Sequence, residues 1–110
     1  MDKVNPIIIK DENGEDKYRL EFSRESIRYA EENGFDITKA MSKLVTTAED
    51  LFFYAFRMHH KGITRETTNQ ILTEVGIGEA LMNRLVALYN APIEALMEGK
   101  GKNAKYAITM

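Results

Sequence analysis

The feature that most constrains this chain is a change of hydrophobic period at Ser23. Before it, Lys17, Arg19 and Glu21 alternate with Tyr18, Leu20 and Phe22, which puts three large apolar groups on one face of a strand. After it, apolar residues recur at three- and four-residue spacing to the end of the eighties, the pattern of helices with one buried side. The β-branched run Ile7-Ile8-Ile9 supplies a partner strand. Between the strands, Lys10 to Asp16 is polar and holds Asn13-Gly14, a pair that tolerates positive φ. An N-terminal β-hairpin over Pro6 to Phe22 is therefore expected. Two strands are marginal in water, so their apolar face must be covered by helices or by another chain.

About five short helices should follow. The first runs from a Ser23 cap through Ile27 and Ala30 to a stop at Gly34. A second, capped by Asp36, would carry Ile37, Ala40, Met41 and Leu44 on one side. Two overlapping cap pairs, Thr46 with Glu49 and Thr47 with Asp50, precede the apolar run Leu51 to Met58 and mark a third start. The fourth begins at a Thr64 cap, turns Ile71, Leu72 and Val75 inward and stops at Gly76. The fifth starts near Gly78, and Pro92 should break or restart it before Ile93, Leu96 and Met97. The fold class is thus α+β and predominantly helical, one compact domain over residues 1–98. A basic tail over 99–110, with three lysines and no acid, is expected to be mobile unless Tyr106 to Ile108 joins a sheet.

Composition narrows function mainly by exclusion. Hydrophobic residues at 44% and charged residues at 29% are ordinary for a globular chain of 110 residues. Fifteen basic against seventeen acidic side chains leave a net charge of −2, which offers no general attraction to nucleic acid or anionic lipid. The absence of cysteine removes thiolate chemistry and disulfides and suits a reducing cytoplasm. No stretch approaches the ~20 apolar residues that span a bilayer, and the first residues do not read as a secretion signal.

No catalytic or metal-binding constellation emerges. His59 and His60 are adjacent, so on a helix they point about 100° apart and cannot share a metal as an i, i+4 pair does; a helix-end pair is the simpler reading. Asp11 to Asp16 lacks the glycine and glutamate positions of a calcium loop and reads as a solvated turn. Glu31-Glu32 and Glu49-Asp50 read as solvated surface. The outline from the fourth helix through Gly76 to the fifth resembles a helix-turn-helix, but only Asn83 and Arg84 would serve a recognition helix. An enzyme, a cofactor and a nucleic-acid partner are accordingly not expected. What stands out is surplus apolar side chain on the fifth helix. Met82, Val86, Tyr89, Ile93 and Met97 are expected to face outward as an interface for a partner or for a second copy.

The order of a hairpin ending Tyr-Arg-Leu-Glu-Phe-Ser, a helix ending Ala-Glu-Glu-Asn-Gly-Phe-Asp-Ile, the aromatic helix Asp-Leu-Phe-Phe-Tyr-Ala-Phe-Arg-Met-His-His and then Gly-Ile-Thr-Arg-Glu resembles the small tail-assembly chaperone-like proteins of tailed phages and prophages. The resemblance covers roughly Tyr18 to Met97. It implies a non-enzymatic protein of the bacterial host cytoplasm that self-associates and keeps the tape-measure protein soluble during tail assembly. A structural tail or virion component and a small DNA-binding regulator are the alternatives.

Overall fold

The computed structural model describes residues 4–99 and 105–110. Two antiparallel strands, β1 (Ile7–Lys10) and β2 (Asp16–Leu20), open the chain. Ile7 pairs with Leu20, Ile8 with Arg19 and Ile9 with Tyr18; an irregularity then brings Lys10 opposite Asp16. The Asp11 carboxylate fastens the turn by accepting from the N–H groups of Asn13 (2.9 Å) and Glu15 (3.0 Å), while Gly14 takes the positive φ of 80°. Tyr18 is half-buried and Leu20 and Phe22 are buried, so the alternating face is the one covered by helices.

Four α-helices and one 3-10 turn follow: α1 (Arg24–Glu32), the turn Ile37–Lys39, α2 (Leu44–Arg57), α3 (Arg65–Val75) and α4 (Glu79–Glu98). The ends of α1 are built locally. Ser23 and Ser26 form a reciprocal capping box. At the other end, Gly34 N–H donates to the Glu31 carbonyl and Phe35 N–H to that of Ala30, the double bond of a Schellman end with Gly34 at φ 94°. Its accompanying apolar contact joins Ala30 and Phe35, both in the core. α3 starts at the Thr64 cap, whose hydroxyl accepts from Thr67 N–H, and stops at Gly76 with φ 72°.

Three expectations are corrected. The amphipathic helix from Ile37 to Leu44 is a single 3-10 turn: the Asp36 carboxylate caps it by accepting from Thr38, but Met41 and Leu44 are exposed. Ile37 alone of the large apolar side chains packs on the core, and helical spacing does not hold a helix when the rest of its apolar side stays in water. Neither proposed cap pair starts α2, which begins earlier, after Lys43 and without a side-chain cap. Thr47 and Ala48 are buried inside it, and Asp50 pairs with Arg65 instead; burial here outranks capping preference. Finally, α4 runs unbroken through Pro92. Proline removes one backbone donor, but Leu85, Leu88 and Tyr89 before it and Ile93 after it are held on the core. Their burial offsets a defect of about 3 kcal/mol. Five short helices thus become four, the last of 20 residues.

The core joins Leu20 and Phe22 to Leu51, Phe52, Tyr54, Ala55 and Phe56 of α2 and to Leu85, Leu88 and Tyr89 of α4. Aromatic edges organise it: Phe22 meets Tyr89 at 5.3 Å, Phe35 meets Tyr89 at 5.4 Å, and Tyr18 meets Phe56 at 5.0 Å between ring centres. Among the described residues, no helix is long and apolar enough to cross a membrane.

Candidate protein-binding groove

The five side chains expected to face outward from α4 have different fates. Tyr89 is 1% exposed and lies inside the aromatic cluster, which corrects its assignment to the surface. The reason is angular: Tyr89 is four residues from Leu85 and so only about 40° round the axis from it. Met82, Val86 and Ile93 stand on the flank of the same inner face, half-buried and packed against the core. Only Met97 is open, at 80% exposure. The apolar excess of α4 is therefore mostly a wide core-facing arc, and the side turned furthest from Leu85 carries Asn83, Ala87 and Glu94.

Met82 nevertheless belongs to a groove. The N-terminal part of α2 supplies Leu44, Val45, Ala48 and Glu49; the end of α3 supplies Leu72; Ile77, Gly78, Glu79, Met82 and Asn83 complete it. The volume is about 410 Å³. The local chemistry accounts for its openness. α2 begins before it reaches the core, leaving Leu44 and Val45 at 61% and 72% exposure. The α3–α4 connection is only Gly76, Ile77 and Gly78, so the one side chain between two glycines lies beside the space between the helices. Glu49 and Glu79 are the charged groups of the lining, and Glu79 also sits in the first turn of α4. An apolar trough with an acidic rim can hold an amphipathic helix whose flanks are basic. In the sequence Leu44 reads as the core side of a short helix, and neither Val45 nor Ile77 stands out; the signal available was an isolated Ile between glycines.

A second recess of about 330 Å³ lies between α1 and the end of α4, lined by Arg24, Ile27, Arg28, Glu31, Pro92, Ile93 and Leu96. It contains Ile93 and leads to the exposed Met97. Met82 and Ile93 are thus assigned to separate depressions, and no continuous stripe joins the five residues.

The histidines are not simply a helix-end pair. α2 ends at Arg57, and both rings reach back to β2. His59 Nε2 lies 2.8 Å from Glu21 Oε1, and Arg19 donates its backbone N–H to His60 Nε2 at 3.1 Å. That bond fixes the unprotonated nitrogen of His60, and the ring also packs edgewise on Tyr18 at 5.2 Å. Burial pushes the Glu21 carboxyl up, but the hydrogen bonds from His59 and Arg19 outweigh it and hold the group below its ordinary value. Tyr89 is pushed up to about 12, first by burial and then by the facing carboxylates of Glu31 and Asp36. Glu31 and Asp50 are therefore engaged side chains, whereas both had been read as solvated. Each perturbed group has a structural partner, and among the described residues no group of three or more His, Asp or Glu could hold a metal ion.

Neither a curated protein nor a solved structure matches this chain. The model of a family described only as a domain of unknown function, DUF5055, matches residues 1–110, and the chain belongs to that family.

Proposed function

We propose that this chain is a non-enzymatic protein-binding module that shields an amphipathic helical segment of a client, in the manner of a phage tail-assembly chaperone acting on the tape-measure protein. The observation that carries the reading is the groove between α2, α3 and α4: apolar walls from Leu44, Val45, Leu72, Ile77 and Met82, with carboxylates at Glu49 and Glu79. A helix entering it would present apolar residues at i, i+3 and i+4 or i+7 and lysines or arginines at its margins. The methionine adds a side chain that repacks around different sequences. The assignment of the client to the tape-measure protein rests on the resemblance of Tyr18 to Met97 to the tail-assembly chaperone-like proteins.

The test is co-expression of the full chain with a phage tape-measure protein, scored by the soluble fraction of the client. The unaltered chain should keep the client soluble. Leu44→Ser with Val45→Ser should abolish that effect while leaving the circular dichroism of the chain unchanged, because both side chains are largely exposed. A client equally soluble with and without the chain would sink the chaperone reading. A double variant that still protects the client would sink the groove.

A further inference from the structure

We propose that the outer edge of β1 receives residues Lys105–Met110 of a second copy of this chain as an antiparallel third strand. This rests on the hairpin edge and not on the groove or its client. Among the described residues the sheet has two strands, and its two edges differ. On the β2 side, Arg19 N–H is taken by His60 and Glu21 N–H by the Ala55 carbonyl. Because Arg19 N–H points away from β1, Ile8, its partner in the register, turns its own N–H and C=O to the opposite edge. Among the described residues no backbone hydrogen bond meets Ile8 there, and Pro6 next to it has no donor to leave unpaired.

Beside that edge lies an apolar recess of about 290 Å³ formed by Ile7, Ile9, Phe52, Val75 and Leu81. The segment Lys105–Met110 has the matching pattern. Tyr106, Ile108 and Met110 alternate with Lys105, Ala107 and Thr109, and the first two are 92% and 86% exposed. In an antiparallel register that sets Ile108 against Ile9 and Met110 against Ile7, the apolar side chains enter the recess. Thr109 then exchanges hydrogen bonds with Ile8, and Lys105 falls beside Glu12 in the acidic turn. Charge therefore favours this direction over the reverse, in which Lys105 would meet no acid.

Reach assigns the strand to another copy. Leu81 lies about 27 Å along α4 from Gly99 at 1.5 Å per residue. β1 runs from Asn5, whose carbonyl accepts from Arg84, toward the Leu81 end. Entering the register in its own chain would carry Lys105 past Leu81, yet the six residues after Gly99 span only about 20 Å. A reciprocal exchange of strands would give a closed twofold dimer.

Since the chain has no cysteine, mixed cross-linking is clean. Full chains carrying Ile8→Cys and Thr109→Cys, mixed and oxidised, should give a heterodimeric disulfide, because directly opposed residues lie within bridging distance. In the unaltered chain, exchange of the Ile8 amide should slow as concentration rises, and sedimentation should show a dimer. Ile108→Asp should weaken that dimer at least tenfold without changing the melting temperature of the monomer. A chain monomeric into the millimolar range would overturn the proposal, as would a dimer indifferent to Ile108→Asp. So would protection of Ile8 that is independent of concentration, which would place the strand on its own chain.

Discussion

The seam where the hairpin meets the helices and the groove at the start of α2 use similar residues to opposite ends. At the seam, Leu20, Phe22, Phe56 and Tyr89 are all but removed from water, and the polar groups around them have partners: the Arg19 N–H with His60, and the Glu21 carboxylate with both His59 and the Arg19 side chain. At the groove, Leu44, Val45 and Ile77 remain accessible, with Glu79 exposed and Glu49 half-buried beside them. Both regions are apolar in sequence. The difference lies in whether an opposing element is present: β2 and the rings of α2 and α4 cover one another, whereas Leu44 and Val45 at the start of α2 stay largely exposed among the described residues. Apolar character thus stabilises the fold in the first place and leaves a binding surface in the second.

The largest expected effect is on the seam. Phe22→Asp would place an unpaired charge among Tyr89 and its neighbours, costing more than about 3 kcal/mol and lowering Tm by more than about 12 °C. A variant with the parent's melting curve would show that the seam is not sealed. Next comes alkali. Because Tyr89 ionises at about 12 when folded and near its ordinary value of 10 when unfolded, its contribution is complete below pH 10. It falls away as the pH rises toward 12, by on the order of 2 kcal/mol. Urea titrations at pH 9 and pH 11.5 should show this loss in the parent and a smaller one in Tyr89→Phe.

Acid should act on the other end of the seam, and more weakly. The folded Glu21 carboxyl titrates below its ordinary value of 4.5, so its contribution is present above that value and is lost as pH falls through the lower, folded one. Its partly exposed ion pairs are worth less than about 1 kcal/mol. Glu21→Gln should therefore lower stability at pH 7 to 8 by less than about 1 kcal/mol and flatten the profile below pH 4.5; an unchanged acid limb would mean that the His59 and Arg19 contacts do not hold in solution. The smallest effect on the fold belongs to the groove. Leu44→Ser with Val45→Ser should shift stability by less than about 0.5 kcal/mol, and a cooperative loss larger than that would make the groove part of the core. By contrast, Met82→Lys with Val86→Lys should destabilise, since both side chains pack on the core.

Much of this protein was determined by the sequence alone, wherever the cause was local. The turn at Asn13-Gly14, the Ser23 and Thr64 caps, the stops at Gly34 and Gly76 and the buried alternation of Leu20 and Phe22 each depend on a few neighbouring residues whose chemistry has one good solution. Tertiary structure decided the rest. Whether Ile37 to Leu44 could be a helix depended on a surface for its whole apolar side, and only Ile37 finds one while Met41 and Leu44 stay exposed; whether Pro92 ended α4 depended on the burial of Leu88, Tyr89 and Ile93 to either side. The candidate site divides along the same line. Met82 could be read from the apolar surplus of α4, but Tyr89 could not be told from an outward residue, because sequence spacing does not state where the neighbouring helix sits and so which arc of α4 it covers. Leu44, Val45, Leu72 and Ile77 come from three elements that meet only in the fold, so no spacing along the chain could have gathered them.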